Sequence, residues 1–152
     1  MALDKTKKRI AAQMKLIKAL TSKKIEAGWF ESARYLASDK GYEGVQVAKI
    51  ARINEFGTDT IPARPFMRLA VDNFRRDRNS IQSRINKRVA DGKITADQAL
   101  GQIGMAMEAK IVDSIKDGQW EANAASTIAA KGFDKPLIDT AQMWKSVSSK
   151  VT

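Results

Sequence analysis

Neither cysteine nor histidine occurs anywhere in the 152 residues. The first absence excludes disulfides, thiolate metal sites and cysteine nucleophiles; the second removes the commonest general base and the commonest metal ligand. The carboxylates that remain are scattered singly, with no D-x-D or D-x-E pair to share an ion. The chain therefore points away from an enzyme and requires no cofactor or metal. A carboxylate-only hydrolase would need a pair among Asp97, Glu108, Asp113, Asp117 and Glu121 to converge. Asp113 and Asp117 are one helical turn apart, a spacing at which exposed carboxylates usually just repel. No apolar run approaches the ~20 residues that span a bilayer, so the expectation is a soluble protein made in a cytoplasm. The opening "KKRIAAQMKLIKAL" has the make-up of a helix that lies on an anionic membrane, but it lacks the bulky aromatic anchors of that class.

What the chain does have is positive charge, 27 Lys and Arg against 17 Asp and Glu, and it is unevenly placed. Residues 1–24 hold eight basic side chains and one acidic, a net +7, and residues 64–93 hold nine and three, a net +6. Residues 25–63 and 94–152 come to −2 and −1. Such asymmetry suits a polyanion on one side and a protein partner on another, although solvated helix faces would look the same. The candidate polyanion contacts are Lys5, Lys7, Lys8 and Arg9 in the first segment, and Arg75, Arg76, Arg78, Arg84, Lys87 and Arg88 in the second. No zinc-finger spacing, RNP-like strand or helix-turn-helix signature accompanies them, so any DNA contact would be to phosphates and would fade with salt.

A length of 152 residues fits one domain, able to bury about 70% of the surface its unfolded chain exposes. From Asp4 to Leu20 the residues Ile10, Met14, Ile17 and Leu20 recur at helical steps and predict an amphipathic helix, the basic element of residues 1–22. "KKIEAGWFES" alternates with period two and predicts a strand over Lys23–Glu31, where Gly28 suggests close backbone approach. "SDKGYEGV" is a turn-rich connection, and "VQVAKIARINEF" predicts a short helix that ends at Gly57. Beyond it, Met67, Val71, Phe74, Ile81, Ile85 and Val89 form the stripe of a long helix reaching Asp91, with Pro65 in its first turn. Thr95 with Gln98 makes a capping box for a further helix carrying Leu100, Ile103, Met107, Ile111 and Ile115. Gly101 and Gly104 permit close helix packing there, so Arg64–Asp117 is expected to form an antiparallel αα-hairpin. Ser126 to Gly132 reads as a helical turn, Asp139 or Thr140 as the cap of a short helix through Lys145, and "SVSSKV" as a strand pairing with Lys23–Glu31. The expected class is α+β: one domain, 1–152, with a long antiparallel αα-hairpin and an N-terminal helix packed with a small antiparallel β-sheet.

Between the two hydrophobic helices lies "NEFGTDTIPARPF", which holds two of the chain's three prolines. Pro62 and Pro65 each fix a φ angle and keep Ile61 and Arg64 out of helical geometry, so the loop is ordered before it meets a partner, which lowers the entropy cost of binding. Pro62, Arg64, Pro65, Phe66 and Arg68 are candidate interface residues, because an aromatic and two arginines on a stiff loop are typical anchors; they equally describe a well-formed helix start. Asn54, Glu55 and Phe56 are candidates for the same contact, or else a helix end and a core plug. Trp29, Trp120 and Trp144 are expected as core or interface anchors, since none has an aromatic neighbour at base-stacking distance in sequence.

The stretch "VAKIARINEFGTDTIPARPFMR" resembles the "A-x-x-N-E-F-G-T…I-P-A-R-P-F-x-R" signature of the neck and tail-completion proteins of tailed bacteriophages. "STIAAKGFDKPLIDTAQMWKSV" is similar to their C-terminal "T-I-x-x-K-G-S-x-x-P-L-I-D-T-G-x-M-x-x-S-I", and "GKITADQALGQIGMAMEAKIVDSIKDG" to their central hairpin. The resemblance runs from about Lys23 onward, with two departures: Phe133 stands where the family often has Ser, and Ala141 where it has Gly. It implies a structural virion protein, synthesised in the host cytoplasm and placed in the neck as a homo-oligomeric ring around the DNA channel. Its implied partners are a head-side connector and the tail terminator or tube, with non-specific contact to packaged DNA. Asp139 and Thr140 gain a functional role only through that likeness. The alternative from composition alone is a free-standing, basic, non-specific nucleic-acid-binding protein.

Overall fold

A computed structural model describes residues 2–38 and 41–152; Asp39 and Lys40 of the turn-rich connection lie outside the described residues. The elements run α1 (Ala2–Ser22), β1 (Ile25–Gly28), α2 (Val47–Phe56), α3 (Phe66–Ala90), α4 (Ala96–Asp117), α5 (Ala125–Lys131), α6 (Gln142–Lys145) and β2 (Ser148–Val151). Helices with a small two-stranded antiparallel sheet meet the α+β expectation at the level of class.

α3 and α4 lie along each other with their contacts in opposite order. Lys110 reaches Asp77 at 2.5 Å toward the middle of both helices, and Arg88 donates to Gln102 at 3.1 Å nearer the turn that joins them. Two hydrophobic clusters hold the helices together. In one, Leu16 of α1 meets Ile81, Ile85 and Val89 of α3 and Ala99 of α4. In the other, Val47 and Ala51 of α2, Phe66 and Ala70 of α3, Ile111 and Ile115 of α4 and Met143 of α6 come together. Burying a side chain the size of Phe66 or Leu100 contributes roughly 1.5–3 kcal/mol, and ten large apolar side chains among the described residues are buried in this way. Trp29, Trp120 and Trp144 pack half-buried around the second cluster, Trp29 edge-on to Phe66 at 5.8 Å between ring centres.

Sequence-local signals hold well. Thr95 and Gln98 form the reciprocal capping box at the start of α4, with hydrogen bonds of 3.2 and 2.9 Å. Gly57 closes α2 with φ +72°, and Gly132 closes α5 in the left-handed region. The terminal strand pairs with β1 in the register Ile25↔Val151 to Gly28↔Ser148. Both strands are shorter than expected, four residues each, because the ladder ends where Gly28 turns to φ +149°. A Cβ on Gly28 would meet nothing within 4 Å, so that glycine serves conformation and not close approach. A ribbon this short is marginal alone, and it rests on α4. Gly104 makes that seat: a Cβ there would stand 2.5 Å from the Ser149 hydroxyl. The glycine thus faces β2 and not the neighbouring helix, and Gly101 has open space.

Other expectations change. α1 does not bury Ile10, Met14 and Ile17, which stand exposed; the buried line is Leu16 with Ala12 and Leu20. Both lines are helical stripes, and the small alanine lets the second one approach α3 and α4 more closely, with Gln13 donating to the Asn86 carbonyl at 3.3 Å. On α3, Val71 is exposed while Phe66 and Ala70 are buried. Pro65 stands one position ahead of α3, at its N-cap, and not in its first turn. α5 starts one residue before Ser126. Neither Asp139 nor Thr140 caps α6, whose N-cap is Ala141 at φ +67° with no side-chain hydrogen bond.

Candidate interaction surface

Glu55 is 5% exposed at the end of α2, a costly place for a carboxylate unless it is paired. It is paired with the start of α3. The Met67 N–H donates to one oxygen at 2.8 Å, and the other accepts from the Arg68 N–H at 3.4 Å and from Arg68 Nε at 3.0 Å. A helix start has N–H groups without internal partners and a partial positive charge, and Pro65 has no side chain to satisfy them. Glu55 is therefore the cap of α3, supplied from another helix.

Arg64 holds the other side of the loop. Its N–H donates to the Asn54 carbonyl at 2.7 Å, and its guanidinium donates to the carbonyls of Glu121 and Ala122 at 3.1 and 3.3 Å. Burial lowers the guanidinium's pKa, against which the charges of Glu121 and Asp134 act. Between these anchors the loop turns tightly: the Thr58 N–H donates to Ile61 O at 2.8 Å, and Thr58 Oγ1 accepts from the N–H groups of Ile61 and Thr60. Gly57 is required here, because a Cβ on it would sit 2.7 Å from Ile61 O and 2.8 Å from Ala63 N.

These placements divide the expected interface residues. Phe66 is fully buried, Arg64 nearly so, and Glu55 is inside as a cap, so these three work within the subunit and do not reach a partner. Asn54 donates back to Ile50 O at 2.9 Å. Pro62 and Pro65 are half-buried. Phe56 is the exception: it is no core plug but 66% exposed, with the Arg68 guanidinium 5.9 Å from its ring centre.

Phe56 borders an open groove of about 700 Å³ between α2 and α3, lined by the apolar Trp29, Ala48, Ala51, Met67 and Val71 and by three arginines, Arg52, Arg68 and Arg75, against the acidic Glu55 and Asp72. Chemically it can take an apolar side chain flanked by carboxylates. Arg52 and Val71 were missed as members of this surface. On α2 the spacing of Ala48, Arg52, Glu55 and Phe56 marks one face, but only the fold shows that this face borders the exposed part of α3.

The ten basic candidates are all exposed and do not make one strip. Contacts of Arg9 with Asp91, and of Gln13 with Asn86, set the first turns of α1 beside the last turns of α3. Lys5, Lys7, Lys8 and Arg9 thus share one end of the molecule with Arg84, Lys87 and Arg88, while Arg75 lines the groove and Arg78 borders a separate hollow beside Leu20, Phe74 and Ile103. Lys8 pairs with Asp4 at 3.2 Å and Arg75 with Asp72 at 3.7 Å. Among the described residues no group of three or more acidic side chains is placed to hold a metal ion, and Asp113 and Asp117 are both exposed on α4. No helix among them is long and apolar enough to cross a membrane. No family model, curated protein or solved structure matches this chain.

Proposed function

We propose that this chain is a structural virion subunit of a tailed bacteriophage, part of the neck, where copies form a ring around the DNA channel. The observation that carries this reading is the clamped loop of residues 57–65. Glu55 and Arg64 fix it from inside the subunit, and beside it Phe56 and the arginine-lined groove face outward. That is the construction of a preordered docking element, which loses little entropy on assembly. The resemblance of "NEFGT…IPARPFMR" to the neck and tail-completion signature supports it, as does a chain with neither histidine nor cysteine. In this reading α3 and α4 act as a helical hairpin for lateral packing, and the basic end of α1 and α3 faces the DNA path.

The basic end also supports a second reading, a free-standing nucleic-acid binder, and one comparison separates the two. The masses of wild type and of Phe56→Ala are measured alone and with purified connector and tail particles, alongside DNA binding at low and high salt. The neck reading expects wild type to join a ring or particle, and Phe56→Ala to stay folded but fail to join. A monomer that ignores the particles and binds DNA tightly, with Phe56→Ala unaffected, overturns it.

A further inference from the structure

The two long faces of α1 differ in use. Leu16, Ala12 and Leu20 pack against the body. On a second, outward face Leu3, Ile10, Met14 and Ile17 are 54–71% exposed, more apolar surface than one helix face normally leaves in water. Their spacing of seven, four and three residues is that of a coiled-coil seam, whose remaining positions here are Lys7 and Thr21. Lys18 flanks the seam. Neither Lys7 nor Lys18 has an ion pair among the described residues, whereas Asp4, also beside the seam, is engaged by Lys8.

Charge selects the occupant. A second copy would bring together two segments of net +7 each, with a lysine inside both seams. An anionic membrane favours a broad apolar face with aromatic anchors, but this stripe is one side chain wide and α1 contains no aromatic residue. A polynucleotide would leave the aliphatic side chains unused. We propose that the exposed face of α1 is a docking seam for an amphipathic helix of another protein, with aliphatic residues at heptad spacing and carboxylates facing Lys7 and Lys18. Opposite charges beside such a seam set partner choice. This inference does not rest on the neck reading.

The test titrates the full chain with two synthetic three-heptad helices that share a leucine seam, one flanked by Glu and the other by Lys. The acidic peptide is expected to bind at least about tenfold tighter, and the double variant Lys7→Glu/Lys18→Glu to reverse that preference. Ile10→Ser is expected to weaken both peptides while its thermal unfolding follows wild type, because Ile10 is exposed. Equal binding of the two peptides, or binding of neither, overturns the proposal. So does co-sedimentation with phosphatidylserine vesicles, or a dimer mass, that Ile10→Ser abolishes while the acidic peptide stays unbound; these outcomes identify a membrane or a second copy instead.

Discussion

Replacing Glu55 by Ala removes three hydrogen bonds at once, from the N–H groups of Met67 and Arg68 and from Arg68 Nε. The Arg68 side chain is 64% exposed, so water replaces its lost partner and that bond counts for little. The cost lies in the two backbone N–H groups of a helix start whose N-cap is a proline. Losing a helix cap costs about 0.5–2 kcal/mol, and leaving a buried donor unpaired costs about 1–3 kcal/mol; these overlap, giving about 2–3 kcal/mol in total. In a chain of this size that is a fall in Tm of roughly 5–10 °C. Glu55→Gln keeps an acceptor and loses the charge that favours a helix N-terminus, so about 1 kcal/mol is expected. Urea unfolding followed by far-UV circular dichroism, with Arg68→Ala in parallel, measures all three. If Arg68→Ala matches Glu55→Ala, the exposed ion pair and not the cap is what matters, and a Glu55→Ala variant within about 0.5 kcal/mol of wild type refutes the reasoning altogether.

Gly57→Ala combines a left-handed φ with a clash against the Ile61 carbonyl, and is expected to destabilise by more than about 1–2 kcal/mol in the same unfolding assay; a neutral result would mean that the loop turn gives way easily. Ala141 has φ +67° where a glycine would sit without strain, so Ala141→Gly regains about 1–2 kcal/mol of backbone strain against about 0.4–1 kcal/mol of added unfolded-state freedom. A small rise in Tm is expected, and a fall would show that the strain is compensated locally. Lys110 beside Asp77 holds that carboxyl below the ordinary aspartate value of about 3.9. The unfolded chain then binds the proton first, so the contribution is complete above about pH 3.9 and is lost as pH falls through the lower folded value. Asp77→Asn should therefore flatten the stability profile in that acid window, and an unchanged profile there would discount the pair.

What could be read from the sequence follows the range of each interaction. The capping box at Thr95 and the caps at Gly57 and Gly132 involve residues at most a few positions apart, and each was legible. The strand at Ser148–Val151 was legible because period two is a local pattern, and its partner because few other strands were on offer. α1 exposes the limit of periodicity: two apolar stripes have the right spacing, and only the surfaces of α3 and α4 decide that the line through Leu16 goes inside. Glu55 shows a second limit. A carboxylate that caps a helix eleven positions further on, across a loop, leaves no local signature, and the same holds for Arg64 and the carbonyls of Glu121 and Ala122. The residues of "NEFGT…IPARPF" stand out in the sequence as candidate contacts, whereas Glu55, Arg64 and Phe66 among them are spent on holding the loop itself.

The ribbon of β1 and β2 joins Ile25 to Val151, closing 126 residues of chain (151 minus 25) with four residue pairs. Closing a flexible segment of that length costs roughly 4 kcal/mol of chain entropy, more than so short a ladder returns by itself. The seat that Gly104 provides on α4 must already exist before the two strands gain by meeting. On the ribosome, where residues emerge in order, the helices are made before β2 and can pack while β1 stays single. A chain interrupted before Ser148 would carry an unpaired strand edge beside an empty groove on α4, a state open to another copy's terminal strand.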